Sequence, residues 1–305
     1  MIKRPMLAAT VHDLADLQYP LIASPKADGV RCLTHPEYGP VTRSFKPIPN
    51  NQLRHALLKL GPHLDGELVY SVAKSSGRHS FNAVQSVVMT GDAAIRTPEG
   101  RIYYAVFDDF TNPDAPYTER LKSLEERIVD VSDIVWVMPY LMCDNADEAY
   151  LYWREMVKAG EEGIVLRAPD SMYKSGRSTL KQQYLLKYKQ LEESEAQIID
   201  MVPLQKNLNP QEQDAFGLAK RSTRVANKHT IETLGAFVVL EERIGRTITF
   251  NIGTGFTEDQ RALFWESREE IIGKYVRYKY QPSIHTRPRF PVFLAFRDSR
   301  DLGEP

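Results

Sequence analysis

Six residues, Lys26-Ala27-Asp28-Gly29-Val30-Arg31, sit where two β-rich runs meet, Leu21–Ser24 and Val30–Thr34, with Pro25 directly before the lysine. This K-x-D-G-x-R element imposes a strand, a tight turn and a second strand. Asp-Gly supplies the turn chemistry, and proline stiffens the approach to Lys26. Four fixed residue types at ~5% usage each recur by chance in roughly 0.002 of chains of this length, although taken alone the element is also compatible with a surface turn.

Around it the first two-thirds of the chain alternate strand-like and helix-like stretches. Further β-rich runs fall at His63–Tyr70, Ile102–Phe110, Ile134–Met142, Gly163–Arg167 and Tyr184–Lys189. Helical spacing joins Leu121, Leu124, Ile128 and Val131 after Tyr117. It also joins Ala146, Tyr150, Trp153 and Val157 after Asn145, with Glu148 completing a capping box. The acid-rich Leu191-Glu192-Glu193-Ser194-Glu195 marks a boundary. Beyond it, short strands at Gln197–Val202, Gly235–Leu240, Thr247–Asn251, Lys274–Tyr280 and Pro291–Arg297, with one helix opened by Thr257 and Gln260, fit a small barrel. The expected class is α+β: antiparallel sheets with helices over residues 1–190, followed by an OB-fold β-barrel over 191–305. A polar, basic insert at about 206–233, carrying Lys220, Arg221, Arg224 and Lys228, is too long for an ordinary hairpin loop.

Composition narrows the class further. With 39 Lys+Arg against 40 Asp+Glu, 42% hydrophobic and 26% charged residues, the 305-residue chain is neither wholly disordered nor fibrous. No apolar run reaches the ~18 residues of a membrane span, so no membrane partner is expected. Two cysteines, Cys32 and Cys143, cannot build a disulfide framework, which points to a reducing, cytoplasmic compartment. The net charge of −1 excludes a protein basic all over. From Lys274 to Arg300, however, seven cations face a single acid, Asp298, and six aromatics interleave with them. That mixture suits a phosphate-backbone surface or, equally, a strand pair with a solvated outer face.

Four more stretches could carry chemistry. Leu64-Asp65-Gly66-Glu67 and Glu162-Gly163-Ile164-Val165-Leu166-Arg167 each place an acid at a strand start. In Val106-Phe107-Asp108-Asp109-Phe110 the period of two puts aromatic and carboxylate on opposite faces. In Leu186-Lys187-Tyr188-Lys189 the same period puts both ammonium groups on one face. There is no P-loop, and the seven histidines form no H-x-x-x-H pair, so zinc is not expected.

Taken in order, these elements resemble the nucleotidyltransferase motifs of ATP-dependent DNA ligases and their relatives, the mRNA-capping guanylyltransferases and RNA ligases. The likeness to minimal two-domain viral members runs almost end to end. It includes Pro5-Met6-Leu7-Ala8-Ala9-Thr10, Arg43-Ser44-Phe45-Lys46-Pro47-Ile48, Tyr173–Lys181, Ile252–Phe256 and Arg289–Phe293. The resemblance implies an adenylation domain followed by the OB-fold, with residues 206–233 as a DNA-reaching latch. It implies sealing of 3′-OH/5′-phosphate nicks in duplex DNA through a lysyl-AMP and then adenylated DNA, with ATP and Mg²⁺ (or Mn²⁺), by a monomer of viral, phage or bacterial origin.

Lys26 would be the nucleophile, and Asp28, Glu162, Lys187 and Lys189 would act beside it. Ser24, Arg31, Glu67, Phe107 and Arg177 would join Lys26, Lys187 and Lys189 around the nucleotide, with Phe107 stacked on adenine. Glu67 and Glu162 would hold the metal. Arg43 would grip the nick phosphate, and Lys220, Arg221, Arg224 and Lys228 would contact DNA from the latch. Many relatives end in R-x-D-K. This chain has Arg297-Asp298-Ser299-Arg300-Asp301, so Arg297 and Arg300 are the candidates for orienting pyrophosphate. Only 25 residues precede Lys26, which leaves no room for a further DNA-binding domain there, and a hinge is expected between Gln190 and Glu195. A capping enzyme, an RNA ligase and a non-catalytic nick-binding module are the alternatives.

Overall fold

A computed structural model describes residues 2, 4–71, 81–97, 100–129, 131–213, 219–222, 224–243, 245–282 and 287–297. The chain divides into two compact units, Met1–Lys189 and Gln190–Pro305. No helix among the described residues is long and apolar enough to cross a membrane.

Among the described residues the first unit holds two large sheets and a two-stranded one, Met6–Leu7 with Gly176–Arg177. One has five strands in the order Leu141–Cys143, Leu21–Pro25, Gly163–Arg167, Leu186–Lys189 and Ala9–Thr10. The other runs Gly39–Thr42, Val30–His35, Leu64–Ser71, Gly100–Asp109 and Arg96–Thr97, with Val135–Val137 added in parallel to Gly100–Asp109. The K-x-D-G-x-R turn is the crossing between the sheets: the strand before Lys26 belongs to the first and the strand after Gly29 to the second. Its glycine is forced, because a Cβ on Gly29 would lie 2.2 Å from the carbonyl oxygen of Leu68.

Alternation along the second sheet sets its two faces. Leu64, Leu68, Ile102, Tyr104 and Val106 pack with Leu53, Leu57, Val84, Val88, Leu121 and Leu124 from three helices, Asn51–Leu58, Phe81–Val88 and Tyr117–Ile128. The opposite face carries Tyr103, Ala105 and Phe107 beside Ala27 and Met138. The helix Ala146–Ala159 covers the first sheet through Ala149, Tyr152, Trp153 and Met156.

Three readings of this unit need correction. Ile134–Met142 is two strands, Val135–Val137 and Leu141–Cys143, in different sheets, because Pro139 between them has no N–H to donate. Val131 lies past the end of its helix and is exposed. In Ala146–Ala159 the packed stripe is turned away from Tyr150, which is exposed, towards Ala149 and Met156. Its cap also differs: Asn145 accepts from the Glu148 N–H, but Glu148 accepts from the N–H of Asp144 rather than that of the cap.

In the second unit one antiparallel sheet runs Arg246–Ile252, Lys228–Arg243, Glu192–Asn207, Tyr275–Gln281 and Arg289–Phe296. A bridge between Thr254 and Val292 joins its two ends into a ring. Phe237, Phe256, Phe264, Phe293 and Phe296 fill it, with ring centroids 4.9–6.2 Å apart. The helix Glu258–Glu266 carries the complete Thr257/Gln260 capping box. Two strands are far longer than the sequence pattern suggests, at 16 residues each. The acid-rich run is therefore a strand start rather than a linker. Past the barrel core these two strands stay paired as far as Asn207↔Lys228, and a small hairpin, Gln211–Gln213 with Ala219–Arg221, extends from them.

Candidate active site

Lys26 is fixed by its backbone before its side chain acts. Its N–H donates to the Gly163 carbonyl at 2.9 Å, and its own carbonyl accepts from the Glu162 N–H at 3.1 Å, extending the Pro25↔Ile164 ladder. The Lys26 ammonium then lies 2.6 Å from Glu162 Oε2, and that of Lys189 lies 2.8 Å from the same atom. Gly163 makes this possible: at φ +142° it passes Tyr188 so closely that a Cβ would sit 2.2 Å from a carbonyl oxygen.

Burial alone would raise the Glu162 carboxyl, but the two ammonium groups outweigh it and hold Glu162 well below the usual carboxylate range. Lys189 is pushed down by burial and by Lys26, against the pull of Glu162. Lys187 is pushed down by burial and then by Lys189, Lys26, Arg177 and Arg43.

Lys26 and Lys187 line a cleft with Ala8, Ser24, Arg31, Glu67, Phe107, Met138, Val165, Arg167 and Leu185; it encloses about 570 Å³, part of it open to solvent. Ser24 is buried opposite Val165. Arg31 is held in a two-pronged pair by buried Asp65, at 2.9 and 2.5 Å, and Asp65 also accepts from Tyr173 Oη at 2.6 Å. Burial pushes the Glu67 carboxyl up to about 7, with Lys26 and Arg31 opposing and Asp65 and Glu162 adding to the rise. Asp28, partly exposed, lies close enough to Lys189 to raise it.

A bulge interrupts the strand pairing at Phe107. Asp65 pairs with Asp108 while Gly66 pairs with Val106, so Phe107 is the extra residue of a β-bulge. Phe107 lines the cleft, while Asp108 is turned away from it towards Arg120 on the helix Tyr117–Ile128. The Arg167 guanidinium sits 5.3 Å from the Phe107 ring and also pairs with Asp108, and Arg31 lies 5.3 Å from the same ring. Asp108 in turn binds Arg120 at 2.8 Å, with all three charged groups buried. This second layer of Asp65, Tyr173, Asp108, Arg120 and Arg167 is absent from the sequence-based site. Its one legible signal is an acid inside otherwise apolar strands, at Leu64-Asp65 and Phe107-Asp108.

Arg43 stands exposed at the tip of a turn, where burial and then Arg31 and Arg177 depress its pKa against Glu67. Arg177 lies in a two-residue strand, Gly176–Arg177, paired with Met6–Leu7, and donates to the Ala8 carbonyl at 2.6 Å. Among the described residues no group of three or more His, Cys, Asp or Glu could hold a metal ion. Glu67 and Glu162, the latter close enough to raise the former, fit a cation such as Mg²⁺ that takes one or two carboxylates and completes its shell with phosphate and water.

The remaining candidates belong to the second unit. Lys220, Arg221 and Arg224 are exposed around the small hairpin, and Lys228 begins the strand that returns from it. Arg297 pairs with Glu195 at 2.8 Å, while Arg300 lies outside the described residues. The C-terminal cations are less available than their count suggests. The register sets Lys279 against Glu193 and Arg277 against Glu195, and Arg277 is 3.6 Å from Glu193. On this face the solvated strand pair is the better description. Phe290 protrudes at φ +51°, exposed, with the Arg289 guanidinium 5.5 Å from its ring.

Residues 5–189 match the family model of the ATP-dependent DNA ligase domain, and residues 228–297 that of the DNA ligase OB-like domain. The chain is 33% identical to Chlorella virus DNA ligase-adenylate, covering 97% of this chain and all of that one with a TM-score of 0.54. A Lig E DNA ligase, 20% identical over 97% of this chain and 100% of its own, shares the fold with a TM-score of 0.67. DNA ligases from Archaeoglobus fulgidus and Thermococcus fumicolans are 25% and 27% identical over 68% and 63% of this chain. The chain spans only about a third of those two relatives, 37% and 34%.

Proposed function

The chain belongs to the ATP-dependent DNA ligase family, and on that premise we propose that it seals 3′-OH/5′-phosphate nicks in duplex DNA by passing AMP through Lys26. The observation that carries this reading is the shared grip of one buried carboxylate, Glu162, on the ammonium groups of Lys26 and Lys189 at a cleft with an aromatic wall. In the first step the Lys26 amine, having lost a proton to solvent under the charge of Lys187 and Lys189, forms a bond to the α-phosphorus of ATP, and pyrophosphate departs with the electron pair of the broken P–O bond. Lys187 and Lys189 stabilise charge on the α-phosphate oxygens during transfer. Phe107 stacks on the base, Arg31 and Glu67 contact the nucleoside, and Ser24 and Arg177 close the pocket. Glu67 and Glu162 would hold a divalent ion, Mg²⁺ or Mn²⁺, which when bound would neutralise phosphate oxygens.

The nick 5′-phosphate then takes AMP from Lys26, and the 3′-hydroxyl displaces AMP to close the strand, with Asp28 beside the reacting groups. Arg43 grips that phosphate, within a cationic patch completed by Arg31, Arg177 and Lys187. Lys220, Arg221, Arg224 and Lys228 reach the duplex from the hairpin, and Arg297 and Arg300 orient pyrophosphate. A monomer in a reducing compartment completes the reading, in keeping with free, buried thiols at Cys32 and Cys143. The deciding experiment is covalent labelling with α-³²P-ATP: the parent should carry acid-labile label and Lys26→Ala none. Label retained in Lys26→Ala overturns the assignment.

A further inference from the structure

The strand Val30–His35 ends in a nearly buried imidazole, 3% exposed, whose partners are unusual for a surface sheet edge. Nδ1 of His35 accepts the backbone N–H groups of Glu37 at 3.1 Å and Tyr38 at 3.4 Å, which folds the chain back towards Gly39. The Tyr38 ring stacks on the imidazole, with centroids 4.7 Å apart and planes within 13°. Phe45 closes the third side, 5.0 Å from His35 and 6.1 Å from Tyr38.

Phe45 is 9% exposed and adopts φ +55°, a left-handed conformation that a bulky residue keeps only when its surroundings impose it. It is also the inward-facing residue of the turn that presents Arg43. Its N–H donates to the Thr42 carbonyl at 2.9 Å, and the Thr42 N–H donates to the Lys46 carbonyl at 2.8 Å. Arg43 and Ser44 are left exposed at the tip.

We infer that His35, as the neutral imidazole, is a positioning residue for Arg43: it forms the floor on which Phe45 seats the turn, so that nick capture weakens when the ring is protonated. The inference rests on the proposed role of Arg43 at the nick phosphate. A protonated imidazole has no lone pair at Nδ1, so two backbone N–H groups would lose their acceptor and the platform under Tyr38 and Phe45 would shift. Burial holds the imidazole below its ordinary pKa. The Ile2 carbonyl and Glu37 oppose that, and His63 reinforces it. Glu37, His63 and Tyr38 are the titratable side chains around His35 among the described residues. Burial therefore favours the neutral form, and the positioning fades as pH falls below the ordinary imidazole range.

The test is binding of the full chain to a nicked duplex bearing a 5′-phosphate, without ATP, from pH 8 to pH 5.5. His35→Asn supplies an amide oxygen near the Nδ1 position and cannot titrate, so the ratio of parent to variant removes every other titrating group, Glu67 included. The ratio should be near one at pH 8, and the parent should bind about tenfold more weakly than His35→Asn at pH 5.5, the scale of a lost buried hydrogen bond. His35→Leu, with no acceptor, should bind weakly throughout yet still take label on Lys26, which shows that it folds. A parent-to-His35→Asn ratio that stays constant with pH overturns the inference, as does tight nick binding by His35→Leu. Arg43→Ala binding as tightly as the parent would instead overturn the Arg43 assignment, so the two failures are distinguishable.

Discussion

At Glu67 a single carboxyl is kept in a state that suits its role and strains the fold. Its pKa of about 7, raised mainly by burial, means that ionisation is unfavourable in the folded protein relative to a carboxylate in water. Worked through with its sign, the stability linked to this group is fully present below its ordinary value of 4.5 and is lost as pH rises through 7. Glu67→Gln should therefore melt higher than the parent at pH 8 and close to it at pH 5, in thermal scans without nucleotide. The same substitution should lower Lys26 adenylation at pH 8 by 10²-fold or more, the scale of a lost contact made in the transition state. A melting difference that is independent of pH would show that the carboxyl does not titrate near 7. Asp108 stands at the opposite extreme: between Arg120 and Arg167 its carboxyl is held low despite burial. It supports Arg167 beside Phe107 without facing the cleft.

At the level of elements, the hairpin offers the clearest case of a polar side chain doing structural work for a distant surface. Asn209, 4% exposed, donates through Nδ2 to Asn207 Oδ1 at 2.7 Å and to the carbonyls of Ser222 and Arg224 at 2.9 and 2.8 Å. Arg221 closes the same knot by donating to the Asn209 carbonyl. These bonds fix where the hairpin leaves the long paired strands, and they do so where apolar packing is sparse. Asn209→Ala removes three of them and should weaken nick binding by about tenfold, since each such bond is worth about 1 kcal/mol net. Covalent labelling of Lys26 should be unchanged, and amide exchange should quicken in residues 207–224. Slower or unchanged exchange there would show that Asn209 does not organise the hairpin. Deletion of the hairpin should produce the same separation of nick binding from adenylation.

For the molecule as a whole, charge count and usable charge are different quantities. Lys279 and Arg277 stand opposite Glu193 and Glu195 in register, and Arg297 is paired with Glu195. Arg43 stands among Arg31, Arg177 and Lys187 with Glu67 as its counter-charge, and Lys220 is exposed on the hairpin. The salt dependence of nick binding should report this difference. Arg43→Ala and Lys220→Ala should each reduce the slope of log K against log salt by about 0.9, the value for one phosphate contact. Arg277→Ala should leave the slope unchanged. Titrations at four or five salt concentrations decide the matter, and a full-unit change for Arg277→Ala would return the C-terminal strands to the DNA surface.

The order of motifs, the two-part architecture and the turn that carries Lys26 could all be read from the chain, because each follows from local chemistry. Asp-Gly specifies a turn, period two places both lysines on one side, and Thr257 with Gln260 caps a helix. The glycines of those motifs carried information too, since Gly29 and Gly163 stand where a neighbouring strand leaves no room for a Cβ. Three things were decided by tertiary packing instead. At the Phe107 bulge one arginine from another strand, Arg167, reaches both the aromatic ring and Asp108. Cross-strand register matched the C-terminal cations with glutamates some 80 residues earlier in sequence, along the Glu192–Gln197 and Tyr275–Tyr280 pairing. The buried layer behind Arg31 and Phe107 drew Asp65, Tyr173, Arg120 and Arg167 from four separate segments. Register, bulges and buried ion pairs depend on which segments become neighbours, and no local pattern contains that information.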